Sequence, residues 1–215
     1  MDQSTHIEFE GFEVIVSCLK EVRSKRFVVA VAGPPGGGKS TFSEKLISAL
    51  NESELGCAAI LPMDGFHYDD TVLIERDLRD RKGSPPTFDV SGLMFLLRRI
   101  KNNLEMEIAV PVFDRSLELS RAGARIIPQS ARIVIVEGNY LLLNAEPWQQ
   151  LRALFDLSIF VSEDKSKLED RLVRRWVSYG FDLEGARKKV FNNDLLNIEL
   201  VLSESVAPDF LVWSS

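Results

Sequence analysis

Four groups of residues carry most of the chemistry this chain could do. The first is Gly33-Pro34-Pro35-Gly36-Gly37-Gly38-Lys39-Ser40-Thr41, which fits GxxxxGK[ST]. Gly33, Gly36, Gly37 and Gly38 allow backbone N–H groups to turn inward on phosphate oxygens, and a helix emerging behind them would present its positive end. In such a cradle Lys39 reaches the β- and γ-phosphates, the Ser40 hydroxyl ligates Mg²⁺ and Thr41 adds an α-phosphate contact. The second group is Leu61-Pro62-Met63-Asp64-Gly65-Phe66-His67-Tyr68, where Gly65 permits a tight turn and the rings of Phe66, His67 and Tyr68 form an apolar wall with polar tips. The third is Glu137, which closes the run IVIVEG; an acidic residue there is the usual partner of the cradle's Mg²⁺. The fourth is RLVRRW, in which Arg171, Arg174 and Arg175 fall on neighbouring faces of a helix.

The elements that must position these groups are legible as changes of hydrophobic period. Arg26–Ala32 is a short, β-branched apolar run, which reads as a strand buried on both faces of a parallel sheet. Similar runs span Cys57–Leu61, Ala131–Val136 and Leu157–Val161, with Asp209–Trp213 as a fifth. Between them lie helical patterns over Lys39–Asn51, Ser91–Leu104, Pro147–Leu154 and Glu163–Val177, and an amphipathic helix is expected over 6–25. Strands alternating with helices predict a doubly wound α/β sheet with right-handed crossovers. Ligands bind at the carboxyl ends of such strands near the switch point, which is where the cradle and Asp64 both fall. Residues 108–127, with Pro111, Arg115, Arg121 and Gly123, interrupt the alternation and predict short strands and turns.

Composition excludes several classes. With 215 residues, 45% hydrophobic and 27% charged, the chain is ordinary globular protein, about one and a half average domain lengths, and is expected to form one domain over 1–215. Lys plus Arg total 26 against 32 Asp plus Glu, a net charge of -6, which is opposite to what a general nucleic-acid binder needs. No apolar run approaches the roughly 20 residues of a membrane span, and the start MDQSTHIEFEGFEV lacks a signal-peptide pattern, so a cytoplasmic setting is expected. Cys18 and Cys57 have neither CxxC spacing nor a histidine cluster, and both are expected as buried, reduced thiols. Oligomeric state is not legible in the chain.

Among nucleotide-binding proteins, the absence of an NKxD motif argues against a GTPase. LSRAG lacks the second glycine and the glutamine of the LSGGQ signature of transport ATPases. The set GPPGGGKST, PMDGFHYDD, PPTFDV, VPVFDRSLELSR and IVIVEGNYLLL resembles the uridine kinase, phosphoribulokinase and pantothenate kinase group of P-loop kinases. Within it, MDGFH, RKG-x-P-x-TFD and NDxxN most resemble the bacterial fructose transport system kinases.

That resemblance implies a three-layer α/β/α P-loop fold of the nucleoside monophosphate kinase type, with a helical lid over about 171–190 and an acceptor-site insertion over about 108–127. It implies Mg²⁺-ATP as donor, a hydroxyl of a small molecule as acceptor, most simply a sugar or polyol, and a functional link to a sugar transport system. Asp64 takes the family's general-base position. Arg171 and Arg175 are expected over the phosphates, Ser40 and Glu137 at the metal, and Asp64, His67, Tyr68, Asp114, Arg115 and Arg121 around the acceptor. Asn193, Asp194 and Asn197 form the NDxxN element. The segment after Asp64 departs from the nucleoside kinases, and 215 residues are short for a pantothenate kinase.

Overall fold

Alternate residues of β1 (Phe27–Ala32) feed two different cores, and this sets the architecture. Val28, Ala30 and Ala32 pack on one face with α4 (Val90–Asn102), which the short α3 (Asp70–Glu75) precedes in the chain, while Val29 and Val31 pack on the other with α1 (Phe12–Lys20) and α2 (Lys39–Ser53). β5 (Ile133–Glu137) splits the same way, with Val134 and Val136 on the first face and Ile133 and Ile135 on the second. A strand apolar on both sides needs helices on both sides, which gives the three-layer α/β/α sandwich. The computed structural model describes residue 9 and residues 11–214.

The central sheet adds β2 (Ala58–Pro62), β6 (Leu157–Ser162) and β7 (Phe210–Trp213) in the order β2-β5-β1-β6-β7, and every pairing is parallel. The chain leaves β1 for one side of the sheet and later returns to the other, so the switch point lies at the carboxyl end of β1, where the phosphate loop begins. All five expected strands are present. At the outer edge, Asn51 at the end of α2 pairs with Ala58 in both directions, donating to its carbonyl (3.1 Å) and accepting from its N–H (2.9 Å). At the opposite edge Phe9 forms an antiparallel bridge with Ser214.

The expected excursion is a hairpin of β3 (Glu107–Asp114) and β4 (Leu119–Pro128), separate from the main sheet. Beyond the sheet, α5 (Lys165–Ser178), α6 (Leu183–Lys189), a π-helical turn over Val190–Asp194 and α7 (Leu195–Glu204) share a small core of Leu168, Leu172, Val190 and Ile198. Three local expectations change. Trp148–Leu154 is a 3-10 helix, and the helix expected over 6–25 is confined to Phe12–Lys20, with residues 6–8 and 10 outside the described residues. Cys18 is exposed, and only Cys57 is buried. Among the described residues no helix is long and apolar enough to cross a membrane.

Gly65 joins the Asp64 turn to the hairpin. It needs to be glycine because of closeness and not because of a left-handed turn: a Cβ there would lie 2.4 Å from the Pro111 carbonyl oxygen on β3. Gly65→Ala must therefore push hairpin and turn apart. Overpacking of this kind costs about 1–3 kcal/mol, so the urea midpoint is expected to fall, and turnover to fall with it because Asp64 and its hairpin partner separate.

Candidate active site

The loop from Gly33 to Gly38 lies across the end of β6. A Cβ on Gly33 (φ +146°) would sit 2.2 Å from the Val161 carbonyl oxygen, and one on Gly36 (φ +79°) would press into the Leu172 side chain at 3.3 Å. Gly37 stacks on the same Val161 carbonyl, and Gly38 immediately precedes α2. That helix has no side-chain cap at its start and no acidic residue in its first turn. Its first N–H groups and its positive end are left for an anion.

Around this cradle three charged groups gather, Lys39 buried and Asp64 and Glu137 partly buried beside it. Lys39 donates to the Pro34 carbonyl (2.9 Å), and burial pushes its ammonium down to about 8 despite the opposing pull of Glu137 and Asp64. Glu137, at the end of β5, accepts a hydrogen bond from Ser40; burial raises its carboxyl, and Lys39 only partly offsets this. Asp64 lies in the 3-10 turn Met63–Phe66 that follows β2. Burial would raise its carboxyl too, but the cations Arg115, Lys39 and Arg175 together hold it below the ordinary aspartate range. Arg115, from the hairpin tip, donates to Asp64 at 2.6 Å. The site therefore holds two carboxyls shifted in opposite directions, Asp64 down and Glu137 up.

These groups open into a cleft of about 680 Å³ between sheet, hairpin and α5–α7. Away from the phosphate loop its wall is aromatic. The His67 ring stacks on Phe88 (4.0 Å) and Phe113 (4.8 Å), and its Nδ1 lies 2.8 Å from the Asp64 carbonyl oxygen. A carbonyl only accepts, so Nδ1 carries the proton and Nε2 is an acceptor. Burial lowers the His67 pKa, which favours that neutral ring. Lys82 reaches Asp70 (2.6 Å) and the Glu118 carbonyl (2.6 Å). The backbone beside it is held by Asn193, which donates to the Lys82 carbonyl (3.0 Å), and by Tyr140, which donates to the Gly83 carbonyl (2.6 Å).

Gly36, Gly38, Lys39, Ser40, Thr41, Asp64, His67, Arg115, Glu137 and Arg175 line one cleft, as expected together. The structure does not bring four other candidates there. Tyr68 turns away beneath the Arg76 guanidinium (4.4 Å to the ring centre). Asp114 accepts from Ser116 and Leu117 in the hairpin turn and pairs with Arg121 (3.1 Å), so both residues build the hairpin. Arg171 points behind the phosphate loop, to Glu163 (2.7 Å).

The model of the Phosphoribulokinase / Uridine kinase family matches residues 28–194, well over half of the chain. This chain belongs to that family. Escherichia coli (strain K12) YggC is 37% identical over 191 residues, covering 87% of this chain and 78% of YggC. The pantothenate kinase of Enterococcus faecalis is 33% identical over 152 residues, but this chain spans only 49% of that enzyme. A crystal structure from Silicibacter sp. TM1040, provisionally named a fructose transport system kinase, superposes with a TM-score of 0.86 at 36% identity, covering 93% of this chain and 98% of the other. The chain is thus a P-loop kinase of the uridine, pantothenate and phosphoribulokinase type.

The residues present in this phosphoribulokinase/uridine kinase relative suit a magnesium ion. The Ser40 hydroxyl and Glu137 carboxylate are hard oxygen donors joined by a hydrogen bond beside the cradle, and Mg²⁺ characteristically takes one or two such ligands plus phosphate oxygens and water. Among the described residues no three His, Cys, Asp or Glu gather as an all-protein metal cage. The sequence reading missed Lys82, Phe88, Phe113, Asn139 and Trp176 as lining residues. The aromatic ones carry no signal that separates a cleft wall from a core; Lys82, next to Gly83, was the one available clue.

The burial of Lys39 makes a prediction with a definite sign. Between about 8 and its ordinary 10.5 the unfolded chain keeps this proton and the folded protein does not, so stability rises with pH across that window. Below about pH 8 the buried charge is a cost. Lys39→Met should melt higher than wild type at pH 7 without nucleotide, and the gap should shrink as pH rises toward 10; paired thermal melts over that range check it.

Proposed function

We propose that this kinase moves the γ-phosphoryl group of Mg²⁺-ATP to a hydroxyl of a small, uncharged, hydroxyl-rich molecule, a sugar or polyol. The observation that carries the acceptor class is a pair of buried side-chain oxygens. Asn193 Oδ1 and Asn197 Oδ1 line the cleft and have no hydrogen-bond partner in the protein. A buried acceptor atom calls for a donor, and hydroxyl groups supply donors. His67 Nε2 and the ionised Asp64 add acceptors, whereas Lys82 and Arg115 are already neutralised by carboxylates. An anionic acceptor would have to break those pairs. A nucleoside finds no free platform in the ring stack, because His67 is taken by Phe88 and Phe113, and Phe113 carries Lys82 and Arg115 over its ring. The name of the Silicibacter neighbour points the same way.

The roles follow from placement. Amides of Gly36, Gly38, Lys39 and Ser40 and the Lys39 ammonium would hold the phosphates, with Thr41 beside the α-phosphate; the Gly37 N–H is engaged by the Pro34 carbonyl (3.0 Å). Ser40 and Glu137 would hold the magnesium, which would supply neutralisation of phosphate charge. Asp64 orients the acceptor hydroxyl and takes its proton; because phosphoryl transfer runs through a loose transition state, orientation matters more than basicity, and an aspartate of low pKa suffices. Arg175 lines the phosphate side of the cleft from α5 and would meet the transferring group as the helices close.

Asp64→Asn is expected to keep ATP binding and lose turnover by about a hundredfold or more, the general-base scale; near-normal turnover would remove Asp64 from that role. Asn197→Ala should raise the acceptor KM and leave the ATP KM unchanged, a split that steady-state kinetics reads directly. The acceptor class is tested by acceptor-dependent ADP release across sugars, polyols, nucleosides and pantothenate. Stimulation by nucleosides alone would replace the polyol reading. Stimulation by no hydroxyl compound would favour a nucleotide-binding regulatory subunit of a sugar transport system.

A further inference from the structure

Arg171 stands on α5 one turn before Arg175, yet it faces away from the cleft. Its guanidinium fills the space behind the phosphate loop, donating to the Gly36 carbonyl oxygen (3.3 Å) and to Ser214 Oγ (3.3 Å) and pairing with Glu163 Oε2 (2.7 Å). Glu163 follows β6 directly, and its side chain is 1% exposed. Every strong donor nearby converges on it: the Ser214 hydroxyl (2.6 Å), the Asp164 N–H (2.9 Å), Lys167 (3.3 Å) and Arg171. Burial alone would raise its carboxyl, but these donors outweigh it and keep Glu163 below the ordinary glutamate range, so the pair with Arg171 stays ionic.

A phosphate cradle turns its amides inward, and its carbonyls must therefore find donors on the outside. For Gly36 that donor is Arg171. The same loop residue packs on the lid helix by shape: a Cβ at Gly36 would reach Leu172 Cγ at 3.3 Å and the Leu168 carbonyl oxygen at 3.5 Å. Thus the apex of the phosphate loop and the root of α5 meet twice, once through an ionic hydrogen bond and once through direct packing. From that root the helix carries Arg175, Trp176 and Tyr179 into the cleft.

We infer that Arg171, pinned by Glu163 and Ser214, is a positioning residue that fixes the phosphate loop to the lid helix, so that nucleotide seating in the loop sets the placement of Arg175 at the transferring phosphoryl group. It acts through Gly36 and α5 and never touches the phosphates itself. The role rests on the kinase reading given above, and it assigns to the rear of the loop a function in transfer that the sequence motif alone places at the front.

The test compares Arg171→Met, which keeps the stem and removes the guanidinium, with Arg171→Lys and Glu163→Gln. Three quantities are measured on the full chain: affinity for Mg²⁺ and a non-hydrolysable ATP analogue, kcat, and acceptor KM. Loss of one charge-assisted hydrogen bond sets the scale at about tenfold. Arg171→Met should weaken analogue binding and lower kcat by about that factor each, with acceptor KM within twofold of wild type. Arg171→Lys should recover part of both, and Glu163→Gln should fall between. A purely structural role would lower the melting temperature and leave the kinetics of the folded fraction unchanged. That result, or an acceptor KM that moves as much as the nucleotide affinity, overturns the positioning role. If Arg171→Met does not accumulate folded, Glu163→Gln and Ser214→Ala carry the same comparison. A wild-type chain that fails to bind the analogue defeats the kinase reading and this role with it; wild-type binding with unaltered variants defeats this role alone.

Discussion

A buried lysine is the constraint around which the rest of this molecule is arranged. Lys39 is 6% exposed, and an ammonium in that position is tolerable only if carboxylates share its burial. Two do, and each comes from a different parallel strand: Asp64 follows β2 and Glu137 ends β5. Their proximity depends on sheet order. Because β5 lies between β2 and β1, the carboxyl ends of three adjacent strands deliver the glycine-rich loop, Glu137 and Asp64 to one edge. An order that moved β2 or β5 away from β1 would take these carboxylates from Lys39.

The opposite shifts of the two carboxyls are a consequence of that shared burial. Asp64 faces Arg115 and Arg175 and stays ionised, whereas Glu137 relies mainly on Lys39 and is pushed up. Two carboxylates cannot both be neutralised by one lysine, and the hairpin supplies a further cation, Arg115. This gives the insertion over 108–127 a physical purpose beyond filling space: it brings Arg115 to Asp64 and Phe113 to the His67 ring.

The sheet was the most legible part of this chain, because doubly buried strands leave an unambiguous apolar signature, as in VVAVA and IVIV. The cradle was legible because its spacing is itself the chemistry. What could not be read were side-chain directions in extended or irregular segments. Tyr68 follows His67 in extended backbone, where neighbours face opposite ways, so only one of the two can reach the cleft. Asp114 lies opposite Leu119 and Arg121 opposite Val112, diagonal neighbours in a hairpin whose register the sequence does not state, and they satisfy one another. Arg171 and Arg175 are separated by a helical turn and read as equivalent. Only the position of Glu163 at the end of β6 and of Ser214 beyond β7 shows that one arginine serves the back of the loop and the other its front.

The Asn51 side chain, which pairs with Ala58 at the start of the outermost strand, has a bearing on how this protein can associate. A parallel sheet that ends in an open strand is a template for further strands, from a second copy or from a partly unfolded neighbour. Here a side-chain amide imitates a peptide group and occupies the first pairing position, while Phe9 bridges Ser214 at the far edge. Growth of the sheet is thus discouraged at both borders, which keeps strand addition away from the parallel strands whose carboxyl ends frame the cleft.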